Sequence, residues 1–163
     1  MAVSRYPADE RVRFGRHLDA VCNAYLQEAA ASVQSDRAAA LLNKAALRAP
    51  DALAVDVARY KFYFYRGDLA EAERIVRTAL AKAATQGGFE PDWRRGREAL
   101  AGRGDTDGPQ RYYLYALKAL AFIRLRRGAA EEALSILQGL QALDPEDLVG
   151  SSVIAEIAAG LTD

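Results

Sequence analysis

Along this chain apolar residues recur three and four positions apart, and no segment sustains two-residue alternation. That period belongs to helices and leaves no strand to place. Ala, Leu, Arg and Glu, which lose little on entering a helix, recur throughout. The prolines at 7, 50, 91, 109 and 145 fall at boundaries of the apolar pattern. The pattern predicts helices over about 8–33, 36–49, 52–66, 69–86, 111–127, 129–143 and 147–161. A segment rich in turn residues separates the fourth from the fifth and carries one short helix around Trp93 to Ala101. Gly67-Asp68 followed by Glu71 reads as a helix start, with Asp68 as N-cap and Glu71 reaching back in a capping box. Asp144-Pro145-Glu146-Asp147 reads as another, with proline in the first turn and acids at the positive end of the helix dipole.

The pattern also repeats. Ala38, Leu42 and Ala45 become Ala72, Val76 and Ala79 on adding 34 residues, and Ala133, Leu137 and Leu140 on adding a further 61. Pro145 then matches Pro50. Three copies of one helical unit are expected, with about 27 extra residues between the second and third. The small-large-small spacing suits packed helix pairs, because alanine admits a neighbouring backbone and the larger side chain fills the space between turns.

The run from Gly128 through Ala133, Leu137, Leu140 and Pro145, with Leu117, Leu120 and Ala121 before it, resembles a tetratricopeptide repeat. Gly67, Ala72 and Ala79, with Tyr63 as the aromatic, resemble a second copy. Asp56, Arg59 and Tyr60 depart from that pattern, Arg124 replaces the aromatic of the third copy, and Val33 replaces the glycine of the first. The resemblance implies an all-α, TPR-like solenoid of antiparallel helix pairs forming one domain over 1–163. Its repeats would span about 17–50, 51–86 and 113–146, with an insertion at 87–112 and a C-terminal capping helix at 147–161.

Charge and chemistry narrow the function. The chain has 22 basic and 22 acidic residues, which argues against a general polyanion binder. Charge is nonetheless segregated: no Lys or Arg follows Arg127, where seven acidic residues lie. From Arg94 to Arg127 there are nine Lys/Arg against three acidic residues, and this basic stretch and the acidic one either cancel one another or polarise a surface that orients a partner. Cys22 and His17 are the single cysteine and histidine, so no intrachain disulfide forms. Five residues apart on one predicted helix, they are about 140° apart around its axis and make no nucleophile–base pair. With one His and one Cys, a zinc site would rest on carboxylates. No P-loop or dinucleotide fingerprint is present, and Gly102–Gly108 follows no predicted strand. The expectation is a non-enzyme with no cofactor and no metal. With no apolar leader in residues 1–16 and no membrane-length apolar run, it is expected to be cytoplasmic.

What remains is a surface. In the resembled family the first helix of each repeat lines a concave groove. The register carries that role to Asn23 and Gln27, to Lys61, Phe64 and Tyr65, and to Tyr115, Lys118, Phe122 and Arg126. Each set is spaced three or four apart and so shares a helix face without appeal to any family. Aromatics offer contact area and the cations hold carboxylates, so the expected ligand is an extended or helical protein segment with apolar anchors and some acidic character. The alternative is that Phe64, Tyr65 and Phe122 are core. The terminal helix carries one charge, Glu156; Val149, Val153 and Ile157 form a stripe beside Ile154, Ala158 and Leu161. That helix either fills the groove or makes a homodimer. The expected function is therefore an adaptor or dedicated chaperone that binds protein, with no nucleic-acid or membrane partner. A self-assembling module with an internally filled groove is the alternative. The run from Arg111 to Ile154 also resembles small repeat proteins that accompany nitrogen-fixation gene sets, implying an accessory or assembly factor for a metalloenzyme such as nitrogenase.

Overall fold

The structure is a computed structural model that describes residues 19–31, 36–103 and 108–162. Among them every regular element is a helix: α1 (Ala20–Ala31), α2 (Asp36–Arg48), α3 (Leu53–Tyr65), α4 (Leu69–Gly87), α5 (Arg97–Leu100), α6 (Pro109–Arg126), α7 (Ala130–Leu143) and α8 (Ser152–Thr162). The fold is all-α. The chain divides into two compact units, Met1–Ala58 and Arg59–Asp163, with the boundary inside α3.

In the first unit α1 packs on α2. Cys22, Ala45 and Val55 form its buried centre, flanked by Tyr25, Leu26 and Ala49. Asp19 caps α1 by accepting the N–H groups of Val21 at 3.0 Å and Cys22 at 2.9 Å, and Arg48 pairs with it at 3.1 Å. Of the helix expected over about 8–33, the described part begins at Ala20, behind the Asp19 cap; residues 8–18 lie outside the described ones. Ala38, Leu41, Leu42 and Ala45 form the buried face of α2, as the spacing predicts.

In the second unit α6 is the central helix, packed on α4 along one side and α7 along another. Tyr113, Leu114, Ala116, Leu117, Ala121 and Ile123 are all essentially fully buried, so this helix packs on more than one side. Two turns with one geometry join its helix pairs. Gly67 and Gly128 have φ of +82° and +84°. Asp68 N–H donates to Tyr63 O and Ala129 N–H to Arg124 O, both at 2.9 Å, while Gly67 and Gly128 donate to Phe64 O and Leu125 O. These are Schellman closures, and only glycine adopts the left-handed bend without strain. They lie 61 residues apart, the offset at which the sequence repeats.

Asp68 serves both helices. Its carboxylate accepts Glu71 N–H at 3.2 Å, as expected of the N-cap. Its own N–H is spent on Tyr63 O, so Glu71 does not reach back to it and pairs with Arg74 at 2.9 Å instead. The capping box is thus half formed. Ala72 and Ala133 are fully buried at corresponding places in α4 and α7. Ala72→Leu and Ala133→Leu should each overpack the unit by about 1–3 kcal/mol. A melting temperature unmoved in either variant would show that these sites have room.

The insertion is docked on the second unit. The Trp93 ring lies against Gly139 of α7, Phe89 meets Tyr113 edge-on at 5.3 Å, the Tyr113 hydroxyl donates to Pro91 O, and Gly102 N–H donates to Leu143 O at 2.9 Å. Burial pushes the Tyr113 hydroxyl pKa well above its usual value. The short helix in this segment is only α5.

The last helix starts later than expected, at Ser152 rather than 147. Asp144 is buried and its carboxylate accepts Leu148 N–H at 3.1 Å and Val149 N–H at 2.9 Å, which winds residues 144–149 into a turn. Asp147 is left-handed (φ +54°) and accepts Ser152 N–H at 3.1 Å, so it precedes the helix rather than opening it. Val149 consequently lies in the turn, and the buried positions of α8 are Ile154 and Ala158. Val153, Ile157 and Leu161 are exposed.

Candidate functional site

One face of α6 alternates cations with aromatics: Arg111, Tyr115, Lys118, Phe122 and Arg126, spaced four, three, four and four. No Asp or Glu occurs anywhere in this helix. Such spacing lines one side of a helix over about 22 Å. The Phe122 ring meets Phe64 of α3 with centroids 4.8 Å apart, and Arg126 lies over Phe64 at 5.5 Å. Tyr65 stands edge-on to Phe64 at 5.4 Å and is exposed. Further along, Arg111 and Lys118 lie over Tyr115 at 5.4 and 4.7 Å, and the ammonium of Lys118 also donates to Val149 O at 2.6 Å. A cation held over an aromatic face is stabilised by about 0.5–2 kcal/mol.

The expected site residues are thus sorted by the fold. Phe64, Tyr65, Phe122 and Arg126 come together as one cluster, and Tyr115 with Lys118 form a second on the same helix face. Phe64 and Phe122 are half-buried with their rings in contact, which lies between the core reading and the open-groove reading. Lys61 is half-buried one turn before Phe64 on α3. Asn23 and Gln27 belong to the first unit, where Gln27 is exposed.

The opposite face of α6 works differently. Arg124 lies two residues from Phe122 and from Arg126, hence about 200° away around the axis. It donates to Glu132 of α7 at 2.7 Å and to Glu73 of α4 at 3.3 Å. Glu73 is buried and also receives Arg127 at 2.7 Å and Arg77 at 2.8 Å. The same geometry separates Tyr113 from Tyr115, so the insertion docks on the side of α6 away from the cation–aromatic stripe.

Arg111 is the residue that sequence reasoning missed. It stands one turn before Tyr115, and that continuation of the stripe was the signal available. Cys22 is fully buried with its Sγ 3.9 Å from Ala45 O, and burial pushes its thiol pKa up. His17 lies outside the described residues. Among the described residues, no helix is long and apolar enough to cross a membrane.

No protein-family model matches the chain, and no solved structure does. The chain is 29% identical over 114 residues to an uncharacterized 19.8 kDa protein in the nifW 5′ region of Azotobacter chroococcum mcd 1. The match covers 68% of this chain and 63% of that protein, less than two thirds of its length.

Proposed function

We propose that the protein is a TPR-type interaction scaffold, an adaptor or dedicated chaperone, and that the cation–aromatic stripe of α6 with Phe64 of α3 receives a segment of a protein partner. The observation that carries this reading is the stripe itself. It alternates aromatics and cations on a helix with no acidic residue, while the other face of that helix neutralises its arginine with Glu73 and Glu132. The Schellman turns 61 residues apart support the repeat assignment.

Photo-crosslinking tests the reading. A benzoylphenylalanine at position 122 should capture a distinct protein in the native cell, while the same probe at exposed Gln141 of α7 should not. Equal capture at both positions, or none at 122, would reject the stripe as the binding face. Once the partner is in hand, Phe122→Ala should weaken it by about 2 kcal/mol. Arg126→Glu should slow association and flatten its salt dependence, because exposed rim charge acts mainly on encounter. Lys118 is the less clean choice for charge reversal, since it also tethers the loop before α8.

A second reading has its own support. The related Azotobacter protein is described by its position in the nifW 5′ region. Were this chain an accessory or assembly factor for a metalloenzyme such as nitrogenase, the crosslinked protein would be a component of that system. Self-association through the exposed Val153, Ile157 and Leu161 of α8 is the remaining alternative, and sedimentation over a concentration series distinguishes it.

A further inference from the structure

We propose that Arg111 is the seat of a single carboxylate supplied from outside the chain. The inference stands on that side chain and not on the stripe as a partner-binding face, so the two can fail separately.

Arg111 is 5% exposed, yet among the described residues its guanidinium meets no carboxylate. Its Nε is buried with no hydrogen-bond partner, and its Nη2 reaches only the neutral Tyr115 hydroxyl, at a long 3.5 Å. The Tyr115 ring, 5.4 Å from the guanidinium carbon, offers a quadrupole and no net charge. A buried cation in this state is costly, and proteins normally give it an anion. The chain does so at the far end of α6, where Arg124 has Glu73 and Glu132 and the following Arg127 has Glu73. Lys118, which also lies over the Tyr115 ring, is likewise engaged: it donates to Val149 O at 2.6 Å and acts on the Asp147 carboxylate. Arg111 is the exception.

Its own helix adds to the charge instead of offsetting it. Arg111 is the third residue of α6, in the first turn, where the helix dipole presents its positive end. No acid stands in that turn, and the N-cap residue, Gly108, makes no side-chain hydrogen bond to it. A cation is favoured at the other end of a helix; this one occupies the place where an anion is favoured.

The donor set selects the ligand. Nε and Nη2 form one edge of the guanidinium fork, whose parallel N–H groups match the two oxygens of a carboxylate. A buried ion pair is tolerated when its charges cancel, and one guanidinium balances one monoanion. A phosphate dianion brings a second negative charge, and Lys118 is already engaged. Chloride lacks the second acceptor atom. Because so little of Arg111 reaches the surface, the ligand is slender: a free short-chain carboxylate, or the tip of an acidic side chain of another protein.

The test is ¹⁵N spectroscopy of the Arg111 Nε–H in the full chain, titrated with sodium formate against sodium chloride at matched ionic strength. The resonance is assigned by its absence from Arg111→Met. Formate should move it along a saturable curve and bind at least about 10-fold more tightly than chloride, as charge-assisted hydrogen bonds require. Arg111→Met removes a buried, uncompensated charge, so it should melt no lower than wild type in chloride and lose the rise in melting temperature that formate gives. Arg111→Lys keeps the charge without the fork and should need about 10-fold more formate for the same rise. Arg95→Gln, exposed in the insertion, should respond as wild type does. A resonance unmoved by formate, one moved equally by chloride, or tighter binding of inorganic phosphate would overturn the inference. So would a marked fall in the melting temperature of Arg111→Met in chloride, which would make the side chain a packing element. A move of the resonance in formate-free Asp105→Asn/Asp107→Asn would make the anion the chain's own and equally overturn it. A blocked Ala-Ala-Glu-Ala-Ala peptide and its glutamine twin identify the source. If only the glutamate peptide moves the resonance, the site takes an acidic side chain of a protein; if neither does while formate binds, it takes a free small carboxylate. The carboxylate site stands in both cases.

Discussion

Glu73→Gln should cost about 3 kcal/mol, because removing one partner from a buried ionic cluster leaves the others uncompensated. Three arginines converge on that carboxylate: Arg77 at 2.8 Å, Arg127 at 2.7 Å and Arg124 at 3.3 Å. The low end of the usual range applies because Arg77 and Arg127 keep about half and over a third of their side chains in water. At this chain length the loss is a fall in melting temperature of roughly 10 °C. Its pH dependence has a definite sign. Burial raises the Glu73 pKa, but the hydrogen bond from Arg77, the charges of Arg124 and Arg77 and the hydrogen bond from Arg127 outweigh it and hold the carboxyl below the ordinary 4.5. A depressed carboxylate stabilises the fold fully above its unfolded pKa and loses that contribution as pH falls through the folded one. The gap between wild type and Glu73→Gln should therefore be full at neutral pH and close only below about pH 4.5. A gap independent of pH would show that the variant acts through packing and not through charge.

Gly139→Leu should be similarly damaging, at about 3 kcal/mol, through overpacking and the loss of an aromatic contact together. A Cβ at residue 139 would lie 2.2 Å from the Trp93 ring, so ring and side chain cannot share the site. In an open helix the replacement of glycine would instead gain up to about 1 kcal/mol from helix propensity. Trp93 is the single tryptophan, so its fluorescence reports the event directly. The emission of Gly139→Leu should shift to the red, toward that of a solvated indole, before any global unfolding. Unchanged emission with unchanged stability would mean that the insertion does not dock through this contact.

The helices and the repeating buried face were legible in the sequence because both are local. A period of three and four residues needs only the chain's own geometry to bury Ala38, Leu42 and Ala45, or Ala133, Leu137 and Leu140, on one side. The glycine turns at 67 and 128 were readable for the same reason, since a left-handed bend is a property of one residue. The spacing of the α6 stripe was equally visible. What each of its residues meets was not.

Tertiary structure decided the rest, in each case by placing distant residues together. Arg124 stood out from the sequence only as a departure from an aromatic position; Glu73, 51 residues away, gives it its reason. Glu71 failed to complete the capping box because Tyr63 O had already taken the Asp68 N–H. Five residues expected in the last helix became a turn because the buried Asp144 carboxylate draws in two backbone N–H groups. Nothing local marks Gly139 as the seat of Trp93, or Arg111 as buried. Periodicity assigns a residue to a face of its own helix. What covers that face, and whether a charge there finds its opposite, depends on contacts between residues tens of positions apart, which the local pattern does not encode.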